Sequence, residues 1–319
     1  MFANRSFAND TVAEITPKGI QFKTEENISI EREELYISLK RIEVSYVFKN
    51  HSDKDITVEV AFPVPPYWSL NVKNVNYSHY PVNFGDFVVE VDGRKIDYKK
   101  EVRAIVEEKD YTDILKSLNI SIEDFGRFDF SEPHKESDIS KLSKNDKKRL
   151  HDLGILVTEN KVLEPYWTVD IKYYWTQTFP ANSTINIKHS YTPYPGSFYV
   201  PSIDDIKLLD NYLPANFVKD SCLDQSTRRA VGKEILRKVN KPDHLTNFYF
   251  ISYILTTANN WKKPIKDFHL ILEKPKDSIM SLCFDYKLTK TGPTRFESHI
   301  ENFVPKKDLK IYFISGEKD

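Results

Sequence analysis

The chain has 319 residues, of which 46 are basic and 47 acidic, and 40% are hydrophobic. So even a balance of charge argues against a global field that would draw the protein onto nucleic acid or anionic lipid, and no apolar run reaches the ~18 residues needed to span a bilayer. With only 9 glycines and neither a G-x-G-x-x-G nor a G-x-x-x-x-G-K-[ST] run, the composition also argues against a nucleotide-binding α/β enzyme.

The length predicts two domains. The 18 tyrosines and 20 phenylalanines suit the pleated, half-buried surface of sheets. No export signal is present in the chain as written. Ser6-Phe7-Ala8 before Asn9-Asp10 has the small-x-small look of a cleavage region, so the expectation is a chain that starts near a mature N-terminus, its signal peptide removed and Met1 added.

In chain order, Gly19–Phe22 and Asn27–Glu31 predict short strands. From Ile42 to Val64 apolar and polar residues alternate. Ile42, Val44, Tyr46 and Phe48 share one face, and after the polar stretch Asn50–Asp55 that face resumes at Ile56, Val58, Val60, Phe62 and Val64. This pattern predicts a half-buried antiparallel hairpin with one wet side. Prolines 63, 65 and 66 end it. Phe87–Val91, the turn Asp92-Gly93 and Lys95–Tyr98 predict a second hairpin, Asp-Gly being a type I′ signal.

From about residue 105 to 155 the period shifts toward helix. Thr112, Ser121 and Ser143 are candidate caps, the last for a helix ending at Gly154, and Phe128–Ser140 reads as loop. The lysines of this insertion interleave with Asp138, Asp146 and Asp152, as on an ordinary solvated surface. Strand patterns return at Tyr166–Phe179 and Ile185–Tyr191, separated by the turn Pro180–Ser183. The proline-bearing stretch from Pro193 to Pro214 is the expected domain boundary. Beyond it come a helix at about Leu223–Val239 and strands near Phe248–Thr256, Asp267–Glu273, Ile279–Lys287, Thr294–Ile300 and Leu309–Ile314. The reading is mainly β: a sandwich over residues 1–200 with a helical insertion at about 105–155, then a smaller antiparallel β domain over 201–319 with one packed helix.

Chemistry is sparse in these residues. The eight histidines are scattered, and no H-E-x-x-H, C-x-x-C or H-x-H spacing places two ligands on one element, so no metal and no cofactor is expected. His189, on the apolar face of its strand, reads as a core imidazole. No G-x-S-x-G elbow offers a serine nucleophile, and no catalytic residue is assigned. Cys222 and Cys283 are enough for one disulfide in an oxidising compartment, or they are two buried thiols. Aromatics in the proline-fenced stretch from Pro65 to Pro81, namely Tyr67, Trp68, Tyr77 and Tyr80 with His79 between the last two, are a candidate binding surface. The alternative is that they fold back onto the sandwich edge.

Several blocks carry a resemblance. Asn9–Glu14, Ala61–Pro65, Trp175–Ala181, Cys222–Asp224, Tyr253–Trp261, Ser281–Cys283 and Gly292–Glu297 together resemble the bacterial domain-of-unknown-function family 4424 over nearly the whole chain. The resemblance implies export, hence a periplasmic or otherwise extracytoplasmic location and a Cys222–Cys283 disulfide. It implies no activity. Shorter pieces, Phe62-Pro63, Val91–Ile96, Glu108–Tyr111 and Phe179–Ala181, are similar to the β-sandwich domain of vault and inter-α-trypsin proteins and favour a sandwich over a barrel. The expected function is a non-enzymatic binding or envelope-interaction protein, its partner an envelope protein or glycan. The alternative is a hydrolase acting on envelope polysaccharide or peptide through carboxylates assembled by the fold.

Overall fold

The computed structural model describes residues 9–16, 19–69, 86–193, 195–202, 209–237 and 245–315. The strands in the first part of the chain are β1 (Thr11–Thr16), β2 (Gly19–Lys23), β3 (Glu25–Ile37), β4 (Ile42–Asn50), β5 (Ile56–Trp68), β6 (Val88–Val91), β7 (Arg94–Lys95), β8 (Lys99–Val106) and β9 (Lys109–Asp110). The insertion follows, with helices α1 (Thr112–Ser117) and α2 (Lys144–Asp152) and the hairpin β10 (Leu156–Glu159) and β11 (Val162–Pro165). After β12 (Thr168–Phe179), β13 (Thr184–Tyr191) and β14 (Gly196–Pro201) come helices α3 (Leu209–Tyr212), α4 (Ala215–Ser221) and α5 (Gln225–Arg237). The chain then returns to strands: β15 (Leu245–Tyr253), β16 (Trp261–Lys262), β17 (Ile265–Glu273), β18 (Ile279–Leu282), β19 (Thr289–Lys290), β20 (Arg295–Phe303) and β21 (Leu309–Ser315).

Two large sheets form a sandwich. One runs β2-β1-β5-β12-β8-β9. The other runs β19-β20-β17-β3-β4-β13-β6-β7, with β16 also paired to β3. Strict alternation puts Ile42, Val44, Tyr46 and Phe48 of β4 and Ile185, Ile187, His189 and Tyr191 of β13 on the inner face. There they meet Phe62, Trp175 and Phe179 of the opposite sheet, with ring centroids 5.0 Å apart for Phe62 and His189 and 5.6 Å for Phe48 and Phe179.

The hairpin expected over Ile42–Val64 is not formed. β4 pairs with β3 and β13, whereas β5 pairs with β1 and β12, so the stretch 51–55 crosses from one sheet to the other. Both strands bury one face, which is all that alternation reports; two apolar faces satisfy each other equally well across a sandwich as beside one another. The turn at 180–183 makes a second crossing next to the first, with the Asn182 amide donating to the Ser52 carbonyl (2.9 Å) and the Asn50 amide to the Ser183 carbonyl (3.0 Å).

The hairpin at Asp92-Gly93 is present, both residues having positive φ (47° and 75°). In the insertion, the Ser143 side chain accepts from the Asp146 amide at the start of α2, and Gly154 (φ 72°) follows its end. Ser121 opens closed turns rather than a helix.

The large sheet crosses the boundary expected near residue 200. β17 pairs in parallel with β3, Glu34 opposite His269, and β20 extends the sheet further. A third sheet, β14-β15-β21-β18, is buried on both faces. Phe248, Tyr312 and Ile314 pack with Phe217 of α4 and Val231 and Ile235 of α5, while Ile251, Tyr253, Ile311 and Phe313 face the main core. The proline-bearing segment therefore marks entry into a helical layer, and the core is built from both sides of it.

Candidate functional site

Two polar arrangements stand out, one inside the sandwich and one on its outer surface. Inside, the segment Asn9–Thr11 is fully buried. Asn9 Nδ2 donates to both carboxyl oxygens of Glu33 (3.2 and 3.3 Å), and the Tyr46 hydroxyl donates to Asn9 Oδ1. The Asp10 carboxylate lies 2.9 Å from His189 Nε2, and Trp261 Nε1 donates to the Asp10 carbonyl (2.7 Å). Thr257 Oγ1 donates to the Asn9 carbonyl (2.9 Å), and Asn260 Nδ2 to Thr11 Oγ1 (2.7 Å). Burial pushes Glu33 up to about 8, which favours its neutral form, and burial also raises Asp10 against the pull of His189. His189 is ringed by Phe62, Phe87 and Trp175 and makes no contact with solvent. This centre ties the start of the chain to both halves of the molecule.

On the outer face of the large sheet, side chains directly opposite one another form one cross-strand row. From β7 to β20 it reads Lys95, Glu90, Lys188, Ser45, Glu34, His269 and His299. At strand spacing, this row is about 29 Å long. Its middle borders a cleft of about 310 Å³ lined in part by Arg32, Glu34, Ser45, Glu90, Asn186 and Lys188. Arg32 is paired with Glu34 (3.0 Å) and Lys188 with Glu43 (3.4 Å). At the far end, His269 lies between Glu297 (Nε2, 2.8 Å) and Glu34 (Nδ1, 3.4 Å), and His299 bonds Asp267 through Nε2. Bonds from the Thr291 hydroxyl, from Arg295 and from His269 hold the Glu297 carboxyl down at about 2.

A serine, a histidine and an acid also meet near the start of β3. Ser29 Oγ lies 2.7 Å from His51 Nε2, but Glu31 bonds the serine and approaches that same ring nitrogen at 3.6 Å. In a nucleophilic triad the acid holds the other nitrogen and so orients the base. Asp10 and Glu33, the buried carboxylates brought together by the fold, have no solvent exposure. Among the described residues, no group of three or more His, Cys, Asp or Glu side chains is arranged to hold a metal ion.

Of the residues singled out in the sequence, Cys222 and Cys283 are joined, with Cα atoms 4.9 Å apart and a separation of 61 positions in sequence. Tyr67 is a core residue. Only 6% exposed, it packs its ring against Phe125 and donates its hydroxyl to the Glu123 carbonyl (2.6 Å), because the bulge between Val64 and Tyr67 shifts the register of β5 and turns it inward. Trp68 is half-buried and stacks edge-on against Tyr166. Tyr77, His79 and Tyr80 lie outside the described residues. The Asn9–Asp10 centre and the outer row were not legible as sites, since their members come from strands distant in sequence. The only trace of the row was the polar half of each alternating strand.

No curated protein matches the sequence. Among solved structures, the chain is similar to one from Legionella pneumophila subsp. pneumophila str. Philadelphia 1 whose name proposes nutrient binding. Identity is 14% and the TM-score 0.43, over 97% of this chain and 70% of that one. It is also similar to yeast LTA4 hydrolase in complex with bestatin, at 9% identity and a TM-score of 0.31, over 90% of this chain and 28% of the other. Likenesses this distant carry no function with them. Among the described residues no helix is long and apolar enough to cross a membrane. The model of DUF4424, a domain of unknown function, matches residues 8–312, and the chain belongs to that family.

Proposed function

We propose that this chain is an extracytoplasmic, non-enzymatic binding protein whose ligand occupies the cleft on the outer face of the large sheet. The observation that carries this reading is the lining of that cleft, where Arg32 and Lys188 stand among Glu34 and Glu90 in a space of about 310 Å³. That volume lies at the small end of ligand sites. A small polar molecule bearing both charges, such as an amino acid or a short peptide, fits it: its carboxylate can exchange with the acidic partners of Arg32 and Lys188, and its ammonium can pair with Glu34 and Glu90. The Cys222–Cys283 bond supports the compartment, because such bonds persist where thiols are oxidised.

The test is a thermal-shift screen of the full chain against amino acids, short peptides and soluble envelope glycans, since a ligand bound only to the native state raises the midpoint. The expected result is a concentration-dependent rise with a zwitterionic compound that disappears in the Arg32→Ala/Lys188→Ala variant. No rise with any zwitterion, or a rise that survives the double variant, overturns the cleft. Separately, alkylation of the denatured, unreduced protein from its native host should leave both cysteines unlabelled; labelling of both overturns the oxidising compartment.

A further inference from the structure

We propose that His269 and His299 form a two-imidazole chelate for a divalent transition-metal ion on the outer face of the large sheet. The two residues sit directly opposite each other on β17 and β20, and their ring centroids are 5.4 Å apart. Two imidazoles bound to one tetrahedral ion, through nitrogens about 2.0 Å from it, hold their centroids about 5.2 Å apart. The register places the two imidazoles opposite each other at a ring separation compatible with one shared ion.

Both side chains reach the surface, His269 with 21% of its side chain exposed and His299 with 65%. His269 bonds Glu297 through Nε2 (2.8 Å) and Glu34 through Nδ1 (3.4 Å), so an ion bound to it takes the place of one of these bonds, the longer one to Glu34 being the weaker; His299 bonds Asp267 through Nε2 and keeps Nδ1 for the ion. Carboxylates bonded to ligating imidazoles orient the ring and raise its basicity, and they add negative charge beside a cation. Two imidazoles leave the ion's remaining positions to water or to an exogenous ligand, since among the described residues no set of three or more such donors is arranged to hold an ion. A borderline ion such as Zn²⁺, Ni²⁺ or Cu²⁺ suits imidazole, whereas Mg²⁺ and Ca²⁺ prefer oxygen. Since Glu34 both lines the cleft and bonds His269, the chelate stands at the end of the cleft. The chelate needs only the two imidazoles, and it is tested with no cleft ligand present.

The experiment is calorimetric titration of the untagged full chain with Zn²⁺ and Ni²⁺, with Co²⁺ absorption in the visible reporting the coordination geometry. One ion per chain is expected. His269→Gln and His299→Gln should each weaken binding at least tenfold, while His51→Gln, on a histidine that bonds Ser29 elsewhere on the surface, should leave it unchanged. Melting in the presence of chelator should be alike in all four proteins, and the more exposed His299 keeps the test free of folding effects. Absence of saturable binding, or affinity unaltered in His299→Gln, overturns the proposal. Neither outcome bears on the cleft, which the zwitterion screen tests without metal.

Discussion

Asp10 and His189 are 179 residues apart in sequence, yet the carboxylate lies 2.9 Å from the imidazole Nε2, with both side chains fully buried between the two sheets of the sandwich. A pair buried this completely gives little net stability against an apolar replacement, but removing one member strands the other. Asp10→Ala should therefore destabilise the protein by about 3–5 kcal/mol in denaturant melts. A loss below about 1 kcal/mol would mean that the segment Asn9–Thr11 does not hold this position in solution.

Glu33 gives the fold a pH dependence of defined sign. Its folded-state value is pushed up to about 8 from 4.5, chiefly by burial, so its contribution is complete below pH 4.5. Between about 4.5 and 8 the unfolded chain gives up a proton that the native state keeps, and stability falls as pH rises, by up to about 1.4 kcal/mol per unit. Asp10, also raised by burial, acts in the same direction. Denaturant midpoints measured from pH 5 to pH 8 should fall in the wild type and fall less steeply in Glu33→Gln. Parallel slopes would show that Glu33 is ionised in the native state.

Local chemistry was legible wherever it decides structure by itself. Ser143 and Gly154 bracket a helix, and Asp92-Gly93 closes a hairpin, because a cap and a turn need only neighbours in sequence. Alternation correctly turned Val44, Tyr46, Ile187 and His189 inward. Alternation does not name their partners, and β4 and β5, which it leaves free to pair with each other, lie in opposite sheets. The parallel pairing of β3 with β17 had no signal at all, since 235 residues separate Glu34 from His269. Both polar arrangements inherit that blindness. His269 meets His299 through sheet register, and Asp10 meets His189 across the core between the two sheets; both depend on packing over the whole fold rather than on local spacing.

Asn50 joins the two crossings between the sheets. Its Nδ2 donates to the carbonyls of Lys54 (2.8 Å) and Phe179 (2.9 Å), and its Oδ1 accepts from the Ser52 amide (2.8 Å); Asn50 itself has no solvent exposure. Asn50→Ala removes these three bonds and leaves the buried Phe179 carbonyl unmatched, which should cost about 2–3 kcal/mol. Asp55→Ala, which deletes an exposed bond to the Ala181 amide at the same crossing, should cost less than about 1 kcal/mol. Equal costs for the two variants would show that burial is not what gives Asn50 its weight.

Tyr67 and Trp68 are adjacent on β5 but should answer differently to truncation. Tyr67 is core, its ring against Phe125 and its hydroxyl on the Glu123 carbonyl, so Tyr67→Ala should cost about 3–5 kcal/mol. Trp68 is half-buried, with an edge-on contact to Tyr166 at 5.3 Å, and Trp68→Ala should cost about 1–2 kcal/mol from partial burial and that one ring pair. The remaining exposed part of the indole is then available to a partner, for which tryptophan supplies much contact area through few rotatable bonds. Capture of a native envelope partner by the wild type, lost in Trp68→Ala while the melt shifts only modestly, would support an aromatic recognition surface here. A melt as damaged as that of Tyr67→Ala would make Trp68 a packing residue, and the surface would go with it.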